Sequence, residues 1–113
     1  MTNYEQQLDR VFYALSDSTR RAVLAQLSED PAPVSALAEP FEMALPSFLQ
    51  HLKVLEDCGL AKSKKSGRVR TYQLTPDPLI EVEGWLKDKR VLWEKRLDRL
   101  DDYLLNMKGN VDE

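Results

Sequence analysis

Ser47, Gln50, His51 and Lys53 fall within seven residues of one another, and Lys64, Lys65, Arg68 and Arg70 follow shortly after. These groups donate hydrogen bonds and carry positive charge, which suits them to meet phosphates and base edges. A side-chain amide can bond adenine N6 and N7 together, which makes Gln50 the base-reading candidate, with a phosphate or solvent contact as its alternative. Ser47 has a base edge or a phosphate open to it, and helix N-terminal amides favour the phosphate. For His51 the choices are a phosphate contact, a structural hydrogen bond to the neighbouring turn, or a metal ligand. With no second histidine, no glycine-rich phosphate loop and no nucleophile paired to a base, no catalytic residue is assigned, and neither an enzyme nor a cofactor is expected.

The element that must carry the first group is LPSFLQHLKVLEDCGL, Leu45 to Leu60. Pro46 suits a first helical turn and Gly59 the left-handed residue that ends a helix. At 100° per residue, Leu45, Phe48, Leu49, Leu52 and Leu55 share one face; Ser47, Gln50, Val54 and Asp57 lie opposite, with His51 and Lys53 on the flanks. Phe48 is read as core in preference to a thymine-methyl contact. Two short runs joined near Ser66-Gly67 then predict a cationic β-hairpin, and Tyr72 is expected to pack within it with its hydroxyl at the surface. Lysines on such an edge also guard against aggregation, but the accompanying arginines favour phosphate or minor-groove contact. A polar-faced helix followed at once by a basic hairpin is the arrangement by which a winged helix-turn-helix meets DNA.

The 113 residues have room for one domain, and their formal charge of −3 argues by itself against a nucleic-acid partner. Distribution outweighs that sum. Between Leu45 and Gln73 six cations face two carboxylates, a net +4, which leaves −7 on the rest of the chain. The one cysteine, Cys58, excludes an internal disulfide and is read as a small buried filler in preference to a redox handle. No apolar run approaches the roughly 20 residues of a membrane span, and MTNYEQQLDR lacks the features of a signal peptide. A cytoplasmic protein with no membrane association is expected.

Earlier in the chain, Tyr4 to Leu15 predicts a first helix carrying Leu8, Val11, Phe12 and Leu15 at helical spacing. Any of Ser16, Asp17 and Ser18 can cap a second helix, Ser18 to about Ser28, which buries Val23, Leu24 and Leu27 and exposes Arg20, Arg21 and Gln26. The two arginines either touch phosphate or pair with nearby acids. Asp30-Pro31-Ala32-Pro33 reads as a turn, and Ser35 as the cap of a short third helix, Ala36 to about Phe41. Past the breaker Thr75-Pro76-Asp77-Pro78, a final helix runs from Asp77 or Leu79 to about Met107, where Val82, Leu86, Trp93, Leu97, Leu100, Leu104 and Met107 follow a heptad seam broken at Lys89. Such a helix outruns what one small domain can cover, so residues 79–107 are assigned to dimerisation, with Leu8 and Phe12 joining the interface. Trp85 and Trp93 share roughly one side; they pack, or line an apolar pocket for a small-molecule effector.

Three segments in order, ALSDSTRRAVLAQL (Ala14 to Leu27), HLKVLEDCGL (His51 to Leu60) and GRVRTYQL (Gly67 to Leu74), resemble the ArsR/SmtB family of bacterial winged-helix repressors. The resemblance implies a mainly α fold with a small β-hairpin, and a homodimeric DNA-binding regulator, usually a repressor, that dimerises through terminal helices. Metal-sensing relatives commonly carry Cys-x-Cys-Asp-Leu entering the third helix, where this chain has Pro33-Val34-Ser35-Ala36-Leu37. Both thiols are absent, and the terminal helix has no histidine, so no metal site is expected. The departure at Phe48-Leu49, where many relatives have a small or β-branched residue followed by serine, bears on base reading. The function expected is a transcriptional regulator binding a pseudo-palindromic operator on double-stranded DNA as a homodimer. A winged-helix protein-interaction module is the alternative.

Overall fold

A computed structural model describes residues 4–111, with side chains through Lys108. One compact unit extends to Val82 and a second begins at Glu83. The first opens with α1, Tyr4–Leu15, whose buried face is Leu8, Val11 and Ala14. Leu8 is therefore corrected from an interface residue to a core one: at 5% exposure it is covered by its own chain. Helical spacing cannot tell a chain's own core from a partner's. Phe12, one turn on, is exposed.

Asp17 caps α2, Ser18–Glu29, by accepting from the Arg20 backbone N–H at 3.1 Å, which satisfies one of the unpaired donors of the first turn. Arg20 was expected to be exposed and is instead the buried charged residue of the core, at 6% exposure. The presumed turn at Asp30 to Pro33 also differs, since Ala32–Pro33 forms strand β1. It pairs antiparallel with the later hairpin, Ala32 against Tyr72 and Pro33 against Thr71, in an edge position where proline is tolerated. Helix α3, Val34–Ala38, starts and stops earlier than its sequence suggested. Its N-cap is Pro33, so Ser35 lies inside the helix and caps nothing. Leu37 fills the core beneath it.

After a bend comes α4, Leu45–Asp57, with proline in its first turn. It ends in a Schellman arrangement: Gly59 adopts φ +83°, its N–H bonds Glu56 O at 3.0 Å, and the Leu60 N–H bonds Leu55 O at 3.0 Å. Strands β2, Ala61–Ser66, and β3, Val69–Leu74, form the hairpin with Ser66 opposite Val69. Gly67, at φ +62°, occupies the first central turn position, as a type II′ turn requires. The sheet order is β1-β3-β2, so the hairpin has a third strand that the sequence reading missed. Val11, Val23, Leu37, Phe48, Leu52, Leu55 and Leu60 are fully covered in the core. Helix, turn, helix and basic hairpin in this order make a winged helix-turn-helix.

Helix α5, Asp77–Val111, starts at the earlier of the two predicted positions and continues past Met107. In the second unit, from Glu83 on, it exposes Leu86, Trp93, Leu97, Leu100, Leu104 and Met107 of the predicted seam, together with Leu92, Tyr103 and Leu105; Val82, at the head of that seam, is instead buried. No helix among the described residues is long and apolar enough to cross a membrane.

Candidate nucleic-acid interface

Helix α4 buries a narrower arc than its pattern suggested. Phe48, Leu52 and Leu55 face inward, whereas Leu45 and Leu49, expected beside them, are exposed. Phe48 sits in the core with its ring 5.6 Å from that of Phe41, which removes it from any base contact. Ser47, Gln50 and Lys53 are exposed on the far side, as the helical pattern requires, while Val54 is half-buried.

His51 is held from behind. Its Nδ1 lies 3.0 Å from Arg20 Nη1 and 3.8 Å from Asp17 Oδ2. The same guanidinium donates from Nε to Ala14 O and from Nη2 to Tyr13 O, both at 2.8 Å, and lies over the Tyr13 ring at 4.9 Å. Of the uses open to His51, a structural hydrogen bond is present, but its partner is the Arg20 side chain of α2 and not the neighbouring turn. The amide of Arg20 beside Asp17 holds that carboxyl below the usual carboxylate range. Nothing local in the sequence marked Arg20 for this role, because its partner is 31 residues away.

On the hairpin, Lys64, Lys65, Arg68 and Arg70 are all exposed. Arg70 Nη1 donates to Ser63 Oγ at 2.8 Å, a neutral partner that orients the guanidinium without cancelling its charge. Lys65 stands directly opposite Arg70 in the strand register, and like charges so placed destabilise an isolated hairpin. Among the described residues no carboxylate lies within ion-pair distance of these four cations. A polyanion would relieve the repulsion.

Tyr72 packs as expected, with almost all of its side chain covered. Burial, with the Glu56 carboxylate accepting from the phenol, pushes its pKa up to about 12. Cys58 is a buried free thiol donating to Leu55 O, and burial raises its pKa as well. Among the described residues there is no group of three or more His, Cys, Asp and Glu side chains that could hold a metal ion.

Residues 15–63, from the end of α1 into β2, match the family described as a helix-turn-helix domain. The HTH-type transcriptional regulator Rv2034 of Mycobacterium tuberculosis is 41% identical over 71 residues, covering 63% of this chain and 66% of that protein. The transcriptional repressor SdpR of Bacillus subtilis is 29% identical over 79 residues, 70% of this chain and 88% of that one. A crystal structure of an ArsR-family transcriptional regulator superposes with a TM-score of 0.78 at 52% identity, covering 83% of this chain and 97% of that one. The fold, the exposed polar face of α4 and these similarities agree: the chain belongs to the ArsR family of helix-turn-helix transcriptional regulators.

Proposed function

We propose that two copies of this chain bind a pseudo-palindromic operator and repress transcription from it. The observation that carries the reading is the pairing of Lys65 against Arg70 on an exposed hairpin with no carboxylate among the described residues at ion-pair distance, directly after a helix that exposes Ser47, Gln50 and Lys53. In this reading α4 enters the major groove. Gln50 contacts a base edge, Ser47 and Lys53 contact base or backbone, and Lys64, Lys65, Arg68 and Arg70 meet phosphates or the adjacent minor groove.

Trp93, Leu97, Leu100, Leu104 and Met107 repeat at alternating steps of four and three residues and are exposed in the single chain, so the second copy is assigned to this stripe. Phe12 of α1 is a further exposed apolar contact. Bound across a promoter, such a dimer excludes polymerase, and the likeness to SdpR supports repression over activation.

Selection of bound fragments from genomic DNA tests this reading. The expected sites are dyad-symmetric, with half-site centres about 10 base pairs apart or a multiple of that. Recovered sites without a dyad contradict the dimeric operator reading. Enrichment of no DNA at all favours the protein-interaction module.

A further inference from the structure

The bond between Arg20 and His51 constrains the chemistry of the imidazole. Arginine carries five N–H donors and no acceptor, so at 3.0 Å between Nη1 and Nδ1 the ring must accept through the Nδ1 lone pair. In a neutral imidazole the proton then resides on Nε2. The opposite tautomer would aim an Nδ1–H at the guanidinium, while Asp17 Oδ2, at 3.8 Å, is too distant to accept it. Nor can the guanidinium turn away easily, because its other two donor positions are fixed on Ala14 O and Tyr13 O and the side chain is almost fully covered. The His51 side chain keeps 23% of its surface, and no buried polar side-chain atom among the described residues lacks a partner, so Nε2, for which the protein supplies no acceptor, reaches solvent.

We infer that Arg20 is a positioning residue: it fixes His51 as the Nε2–H tautomer, which α4 then presents as an uncharged donor to a backbone phosphate oxygen of bound DNA. This rests on the DNA-binding reading above. A neutral donor differs from the hairpin cations in a measurable way. It strengthens the complex without releasing a counterion, so its loss lowers affinity on every duplex while leaving the salt slope unchanged.

Because the chain has a single histidine, a long-range proton–nitrogen correlation spectrum of the full-length protein reports this ring alone. At pH 8.5 the expected result is a bare Nδ1 and a protonated Nε2. In Arg20→Met, checked for folding by circular dichroism, the Nδ1–H tautomer is expected to appear beside it. On a duplex that the wild type binds, His51→Asn is expected to weaken binding about tenfold at constant salt slope. His51→Gln, whose amide nitrogen reaches the position of Nε2, is expected to recover most of that loss. A wild-type spectrum with the proton on Nδ1 overturns the inference, and so does a His51→Asn variant that binds as tightly as wild type. If the wild type binds no duplex, the DNA-binding reading itself has failed and the phosphate contact falls with it, an outcome distinct from the other two.

Discussion

Gln7 on α1 donates from Nε2 to the carbonyl of Cys58 at 3.0 Å, so the first helix closes the C-terminal end of α4. The last carbonyls of a helix have no partners within it, and this one is met by a side chain 51 residues away. Gln7→Leu should therefore destabilise the fold by about 1 kcal/mol, which lowers the melting temperature by roughly 4–8 °C in a domain of this size. Thermal unfolding followed by circular dichroism measures it, and an unchanged midpoint would remove the contact from the list of stabilising interactions.

Tyr72 provides a pH-dependent test of the core. Its pKa is raised to about 12 by burial and by the Glu56 carboxylate, against an ordinary value near 10. A group whose folded pKa lies above its unfolded one contributes stability that is fully present below the unfolded value. That contribution is lost as pH rises from about 10 to about 12. Subtracting the Tyr72→Phe ultraviolet titration from the wild-type curve should isolate a phenol with a midpoint near 12. A difference curve centred near 10 would mean that Tyr72 is solvated.

The apolar stripe of α5 predicts an oligomeric state. Leu97 is 59% exposed in the single chain and central to the seam, so Leu97→Glu should place a charge in the shared contact and give monomers. Sedimentation of the variant at dimer mass would displace the interface from this stripe.

Gln50 and the hairpin cations should separate in their effects. Gln50→Ala is expected to flatten sequence preference, costing about 1–3 kcal/mol on the operator and little on random duplex. Equal losses on both would assign Gln50 to the backbone.

Much of this was legible in the sequence because it depends on neighbours in the chain. Pro46 and Gly59 bracket α4, Ser66-Gly67 turns the hairpin, and Leu8, Val11, Val23, Leu24 and Leu27 follow helical spacing. The misreadings arose where distant residues decide. Arg20 looks like a surface residue until the carbonyls of Tyr13 and Ala14 and the ring of His51 surround it. Ala32–Pro33 looks like a turn because its strand partners, Thr71 and Tyr72, lie almost forty residues on. Periodicity also overstated the packed face of α4, since it records which residues are apolar and not how many a neighbour can cover; Leu45 and Leu49 were left outside.

Whether α4 and its hairpin meet DNA through the hairpin cations is measured most directly by fluorescence anisotropy of a selected duplex across a salt series, for the wild type and for the double variant Lys65→Ala, Arg68→Ala. The predicted result is a linear fall of log affinity with log salt, with a slope smaller in magnitude by roughly three to four in the variant when both copies of a dimer bind. Binding that ignores salt, or a variant whose slope matches the wild type, would contradict it.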